Sequence, residues 1–356
     1  MATNMPPPGG PAPRRYRMPA EWERHEATWI AWPHEKTDWP GKFMPIPWVY
    51  ASIVKHLARV ERVRILVEDV GAEESARRVL RKSGALNENV EFFHVKTNRS
   101  WTRDYCPIFV RDETRTQGVL DWHFNGWAKY NNWQADDAVT DQLARNFDWP
   151  VWRPERNGKR IVLEGGAIDI NGAGSILVTE ECLLSAVQAR NPDLSREDME
   201  SVFREFLGAP HTVWLRNGIA GDDTHGHIDD LARFTDEHTI VIASEPDPKD
   251  ANHEPLRENL ALLREMRDPA GQPFRIATLP MPEPVYFAGQ RLPASYANFY
   301  IVNELVLAPT FNDKNDRDAL NTLAELFPRR SIIGIACLDL VLGLGTLHCM
   351  TQQQPA

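Results

Sequence analysis

Ser195-Arg196-Glu197-Asp198-Met199-Glu200-Ser201-Val202-Phe203-Arg204-Glu205-Phe206 is the segment on which the fold turns. Ser195 offers an N-cap with an acid three residues on, and Met199, Val202, Phe203 and Phe206 recur at i, i+3, i+4 and i+7, one face of an amphipathic helix. Asn315 opens a second such stretch, with Leu320, Leu323, Ala324 and Phe327 at the same spacing. Further helical stretches begin near Glu73, near Ala135 and near Glu254, the last with Leu256, Leu260 and Leu263 on one face. The five starts at 73, 135, 195, 254 and 315 are separated by 62, 60, 59 and 61 residues. A nearly constant step means a repeated supersecondary unit.

Short β-branched and aromatic runs lie between the helices: Val90 to His94, Arg160 to Leu163, Ser175 to Val178, Thr239 to Ala243, Phe274 to Leu279, Tyr300 to Leu307, and Ser331 to Ala336. A helix from Trp48 to Val60 and a strand from Val63 to Val67 complete the first unit. Strands alternating with helices in units of about sixty residues predict an α/β repeat architecture. A closed ring of such units needs no capping repeats and an open solenoid does; the periodicity alone is compatible with both.

The 356 residues carry 50 Asp and Glu against 40 Lys and Arg, a net charge of −10. That balance disfavours nucleic acid and anionic membranes and suits a cationic small substrate. The densest basic cluster, Arg77, Arg78, Arg81 and Lys82, follows Glu73 and Glu74 at helical spacing and reads as a solvated face. The most apolar stretch, Ile332 to Leu347, is broken by Asp339 and three glycines, so no membrane span is expected. Residues 1–16 are Pro-rich and expected to be disordered, with no signal-peptide core; residues 17–356 are expected to form one catalytic domain. Four scattered cysteines, Cys106, Cys182, Cys337 and Cys349, form no disulfide framework and no C-x-x-C zinc knuckle, which predicts a cytoplasmic protein with reduced thiols.

Cys349 follows the glycine-rich Leu342-Gly343-Leu344-Gly345-Thr346-Leu347-His348, a setting that can present a thiol to a cleft. Bases and acids are available in Gly221-Asp222-Asp223-Thr224-His225-Gly226-His227-Ile228-Asp229-Asp230, in Trp101-Thr102-Arg103-Asp104, and in Leu163-Glu164-Gly165-Gly166. Asp104, Glu164, His227 and Cys349 fall 31, 29, 32 and 34 residues after their helix starts. In a ring, equivalent positions converge on the axis, so these four side chains would meet there. The fourth unit offers Glu283 and Tyr286 at offsets 29 and 32. Gly165 and Gly166 are read as permitting a tight turn. Cys106, Cys182 and Cys337 are read as core residues.

With these residues in view, the chain resembles the agmatine deiminase family of the guanidine-modifying superfamily, relatives of the bacterial-type peptidyl-arginine deiminases. The resemblance is carried by Met18-Pro19-Ala20-Glu21-Trp22, Thr28-Trp29-Ile30-Ala31-Trp32-Pro33, Trp101-Thr102-Arg103-Asp104, Leu163-Glu164-Gly165-Gly166 and Thr179-Glu180-Glu181-Cys182-Leu183-Leu184. It continues through Gly226-His227-Ile228-Asp229-Asp230, Ala297-Asn298-Phe299-Tyr300 and His348-Cys349-Met350-Thr351-Gln352-Gln353-Gln354-Pro355. It implies the α/β five-bladed pentein propeller with pseudo-five-fold symmetry. It also implies hydrolysis of agmatine to N-carbamoylputrescine and ammonia, without metal or organic cofactor. By that resemblance Cys349 is the nucleophile, His227 the acid and base, Glu164 its orienting partner, and Asp104 and Asp229 the guanidinium clamp. Trp101 is a candidate for stacking on the substrate.

Three other readings stand beside this one. The same fold deiminates arginine or peptidyl arginine in relatives, and His225 departs from the Asp usual at its position in agmatine deiminases, which marks it as a candidate substrate contact. His225-Gly226-His227-Ile228-Asp229 also has the H-x-H-x-D form of a zinc metallohydrolase site. A ring without turnover, used for binding, is the third. A homo-oligomer is left open.

Overall fold

The computed structural model describes residues 16–356, and the Pro-rich residues 1–15 lie outside the described residues. Tyr16 is already buried, its ring 5.0 Å from that of Trp152, so the described fold starts one residue before the expected boundary. Among the described residues, five sheets of three or four strands share one plan: an antiparallel pair whose second strand then pairs in parallel with a third. Ile108–Arg111, Gln117–Leu120 and Val151–Trp152 form one. Asp169–Ile170, Ser175–Thr179 and His211–Leu215 form the next, and Ala232–Asp236, Thr239–Ser244 and Arg275–Pro280 the third. Tyr300–Ile301, Leu305–Thr310 and Ser331–Ala336 form the fourth.

The fifth sheet is assembled from both ends of the chain. The C-terminal strand Gln352–Pro355 pairs antiparallel with His25–Ala31, with Thr28 opposite Gln353, and His25–Ala31 pairs in parallel with Arg62–Val67. Val90–His94 extends it as a fourth strand. This pairing closes the ring and settles the choice between ring and solenoid. The architecture is the five-bladed pentein ring.

Each parallel pair requires a crossover, and helices supply it. They are Ile46–Leu57, Val139–Phe147, Arg196–Val202, His253–Glu265 and Asp316–Leu326, with Val70–Ser83 leading into the extra strand. The capping box read at Ser195 and Asp198 is present, both reciprocal contacts formed. Helix Asp316–Leu326 packs on its own strand Ser331–Ala336 and on Arg275–Pro280 of the preceding unit, so helices wedge between neighbouring blades. Its buried Ala319 and Leu323 face inward, as do Leu256 and Leu263 of His253–Glu265. Each leucine fully removed from water contributes about 1.5–3 kcal/mol.

Tyr300 to Leu307, expected as one strand, is instead a tight antiparallel pair turning at Val302–Glu304. The fourth unit also carries an inserted hairpin, Tyr286–Phe287 with Gln290–Arg291. The hairpin shifts the fourth unit's inner segment further along the chain from its helix.

Candidate active site

The segment just before each antiparallel strand runs to the ring axis, and there the chemistry collects. Asp104 precedes Ile108–Arg111, Glu164 to Gly166 precede Asp169–Ile170, His227 to Asp230 precede Ala232–Asp236, Asn298 precedes Tyr300–Ile301, and Cys349 precedes Gln352–Pro355. All five units therefore contribute a side chain. A cavity of about 350 Å³ opens over this point, with Cys349, Asp104, Trp101 and Trp127 in its wall and Asp38, Arg99, Tyr130 and Asp223 further out.

Module four contributes Asn298, not Glu283 or Tyr286. Glu283 pairs with Lys314 at 2.5 Å on the surface, and Tyr286 is 61% exposed. Counting forward from the helix fails in this unit because the inserted hairpin lengthens it. Asn298 organises the nucleophile loop: its Oδ1 accepts from Thr346 Oγ1 at 2.7 Å and from the His348 N–H at 2.9 Å. Its Nδ2 donates to Asp230 Oδ1 at 3.0 Å and to Cys349 Sγ at 3.1 Å.

Cys349 Sγ also lies 3.6 Å from Asp229 Oδ2. Burial pushes the thiol well above its ordinary range, and the nearby carboxylates of Asp229, Asp230 and Asp104 push it further. Asp104 accepts from the Gly166 N–H at 3.0 Å and from Trp127 Nε1 at 2.9 Å. Burial raises its carboxyl to about 6, against the pull of His227.

His227 is fixed through its backbone. The N–H groups of Gly226 and His227 both donate to Asp222 Oδ2, at 2.8 and 2.9 Å. Its Nδ1 faces Asp104 Oδ1 at 3.9 Å and Asp229 Oδ1 at 4.0 Å; its Nε2 faces Glu164 Oε2 at 3.9 Å. Burial disfavours the imidazolium, but Asp104 and the partners around Nε2 outweigh it and hold the ring well above the usual histidine value. Burial would raise Glu164, but the buried Arg190 guanidinium at 3.0 Å and the His227 ring together keep it low, near 2. Cys182, expected as plain core, places its sulfur within 4.8 Å of both the Glu164 and His227 ligand atoms.

Close approach explains one glycine. A Cβ on Gly166 would lie 2.5 Å from His227 Nδ1 and 2.8 Å from Asp104 Oδ1. Gly166→Ala is therefore expected to displace one of these groups and lower kcat about tenfold or more while the protein stays folded, read by steady-state kinetics beside a melting curve. A variant with unchanged kcat would show that the two groups need not hold this spacing.

His225 does not join the site. It has φ of 65° and is followed by Gly226 at 92°, so the chain reverses and the two histidines diverge. His225 Nε2 meets Ser185 Oγ at 3.2 Å and its Nδ1 lies 3.6 Å from Glu181, whereas the His227 ring faces Asp104, Asp229 and Glu164. The expectation of a substrate contact at His225 is thus not met by the geometry, and the H-x-H-x-D set does not converge. Trp101 does line the cavity; its Nε1 donates to Asp38 Oδ2 at 3.2 Å. Asp38, Arg99, Trp127 and Arg190 carried no recognisable motif, because they reach the site from surrounding loops rather than from the repeated position; Asp223 lies within the stretch from Gly221 to Asp230, where nothing singles it out. Glu164, Cys182 and His227, and separately Asp229, Asp230 and Cys349, hold donor atoms within 4.8 Å of one another. In the first set Arg190 already supplies the cation on Glu164.

A ring of five α/β units with a thiol, an imidazole and carboxylates on its axis defines a pentein-type site. The chain belongs to the Porphyromonas-type peptidyl-arginine deiminase family, whose pattern it matches over residues 17–355. It is 33% identical to the agmatine deiminase of Pseudomonas aeruginosa, each chain covered to 96%. Among solved structures, the agmatine deiminase of Enterococcus faecalis superposes with a TM-score of 0.89 at 29% identity, covering 97% of this chain and 98% of that one. A cysteine-to-serine variant of the C. jejuni agmatine deiminase with substrate bound superposes at 0.85, with 31% identity, 95% of this chain and 96% of that one covered. Among the described residues, no helix is long and apolar enough to cross a membrane.

Proposed function

We propose that this protein is an agmatine deiminase, hydrolysing agmatine to N-carbamoylputrescine and ammonia through a covalent amidino intermediate on Cys349. The observation that carries the reading is the placement of Cys349 and His227 between two buried carboxylates, Asp104 and Asp229. A guanidinium is planar and cationic, and two facing carboxylates match its N–H groups by charge-assisted hydrogen bonds. Asp229 Oδ1 is buried without a partner. Leaving such an atom unsatisfied costs about 1–3 kcal/mol or more, which a substrate N–H would recover.

Substrate binding also changes the nucleophile. The carboxylates that raise the Cys349 thiol are those the guanidinium would neutralise, so the thiolate becomes accessible when its target arrives. The thiolate adds to the central carbon, and the tetrahedral adduct expels one nitrogen as ammonia with a proton from His227. Water then adds to the amidino carbon, giving a proton back to His227, and the C–S bond breaks to release the ureido product and restore the thiolate. Nδ1, between the two clamp carboxylates, is the nitrogen that exchanges these protons. Nε2, toward Glu164, orients the ring.

Selection among guanidines falls to the outer wall. Asp38 and Asp223 line the cavity as carboxylates that the lone ammonium of agmatine would join as a further partner, beside Arg99 and Trp101 Nε1 on Asp38 and beside Lys129 and Tyr130 on Asp223. A second reading has one observation in its favour. Arg99, in the same wall, pairs with Asp38 and lies 4.3 Å over the Tyr130 ring, a cation that could receive the carboxylate of arginine. Specificity constants for agmatine, free arginine and a peptidyl arginine at one pH decide between them. Preference for agmatine by about tenfold or more is expected, since Asp38 already occupies Arg99 and a carboxylate would have to displace it. A preference for either arginine substrate overturns the agmatine assignment.

A further inference from the structure

His348 adjoins the nucleophile in the chain, yet its ring enters a buried chain of charges behind the site. Its Nδ1 lies 2.7 Å from Asp229 Oδ2 and its Nε2 lies 2.8 Å from Glu21 Oε2. All three side chains are buried. Ionised carboxylate oxygens only accept, and a neutral imidazole has one N–H to give. Two contacts of this length therefore require two ring protons, or a proton on one of the carboxyls.

The two guanidiniums that face Glu21 disfavour a proton on that carboxyl and favour one on the ring. Glu21 also faces Arg233 at 2.9 Å and Arg103 at 3.5 Å, and Glu21 Oε1 accepts the Ile301 N–H at 2.7 Å. Burial would raise Glu21, and Arg233, His348 and Arg103 together keep it well below the carboxylate range. Asp229 is likewise held low: burial would raise it, and His348, with His227 and Arg233, reverses that. Arg233 continues the alternation to Asp169. On the other side of Asp229 stand the Cys349 thiol, Asp230 and His227.

We propose that His348 is a positioning residue: a buried imidazolium that occupies Oδ2 of Asp229 and keeps that carboxylate ionised, so that its unpartnered Oδ1 presents to the guanidine N–H. The role rests on Asp229 being a clamp carboxylate, as argued above. His348 also contributes the positive charge that lets Asp229 stand beside Asp230 and a thiolate.

The test measures agmatine binding by calorimetry to Cys349→Ser protein, with and without His348→Gln, from about pH 6 to about pH 9. Glutamine keeps one hydrogen bond and removes the charge. Binding is expected to fall about tenfold or more near neutrality and to recover as pH rises and Asp229 ionises unaided. Weakening by the same factor at every pH, or none at all, overturns the proposal, because a packing role has no pH signature. Nitrogen NMR of His348 in the otherwise unaltered protein gives a second readout that needs no variant to fold. Both ring nitrogens protonated near neutral pH is expected, and a neutral tautomer overturns the proposal. If agmatine does not bind the Cys349→Ser protein at all, the substrate assignment fails, while the NMR result still decides the state of His348.

Discussion

Cys349→Ala is expected to abolish turnover, by about 10⁴-fold or more, while leaving the melting temperature nearly unchanged. The side chain is small and only 7% exposed, and its loop is held by Asn298 through backbone contacts that alanine retains. What the variant loses is the sulfur that lies 3.1 Å from Asn298 Nδ2 and 3.6 Å from Asp229. Mass spectrometry of an acid-quenched reaction should find the amidino adduct on Cys349. Cys106, Cys182 and Cys337 are buried and do not line the cavity, so an adduct on any of them would refute the assignment. The electrostatics add a pH signature with a definite sign. Burial and three carboxylates raise the thiol of the free protein, so its thiolate appears only as pH climbs above the ordinary thiol range. Alkylation of Cys349 by iodoacetamide should therefore be slow at neutral pH and still be accelerating where an unperturbed thiol has levelled off. A Cys349 that alkylates fully at neutral pH would show that the carboxylates do not control it.

Much of this arrangement could be read from the chain because the repeat is both a folding unit and a functional one. The helices expected near 195, 254 and 315 start at Arg196, His253 and Asp316 and are blade crossovers. The one expected near 73 starts at Val70 but leads into the extra strand Val90–His94, and the crossover of that blade is Ile46–Leu57. Near 135 a short turn, Gln134–Asp137, precedes the main helix Val139–Phe147. Amphipathic spacing locates helices well since burial of one face is what holds them in place. The misreadings have equally local causes. An offset counted from the helix start carries every insertion with it, so the hairpin at Tyr286–Arg291 moved the expected site to an exposed ion pair and hid Asn298. Counted back from the antiparallel strand at Tyr300, Asn298 falls at the inner position like its four counterparts. The sequence marks His225 as a substrate contact because it departs from the Asp usual at its position in the family, a signal that says nothing of where the ring points. Residues two apart share a side by alternation only along an extended chain. The positive φ of His225 and Gly226 removes that alternation, and only the glycine announces it in the sequence. The carboxylate, imidazole and guanidinium chain from Asp229 through His348 and Glu21 to Arg233 joins residues over 300 positions apart and has no local pattern at all.

His227 and His225 are expected to separate cleanly on substitution. On the proposed mechanism His227→Ala removes the acid and base of both half-reactions, so a loss of about 10²–10⁴-fold in kcat is expected. Gly226 and its positive φ are untouched by this change, and the backbone N–H contacts to Asp222 remain, so the loop should keep its shape. His225→Ala removes contacts with Ser185 and Glu181, and kcat and KM are expected to stay within about threefold of the parent. The contrast tests the geometry, because a zinc site built from His225, His227 and Asp229 would need both rings. Comparable losses at the two positions, restored by added zinc after chelation, would mean that His225 swings inward and the metal reading is correct. A large loss at His225 without any metal dependence would mean instead that the loop from Asp222 to His227 depends on the His225 contacts for its shape. In that case Glu181→Gln should reproduce the loss, since Glu181 is the carboxylate His225 faces and its Oε2 also accepts the Gly218 N–H at 2.6 Å. The expected outcome, His225 neutral to catalysis and His227 essential, would assign the proton transfers to the ring that lies between Asp104, Asp229 and Glu164.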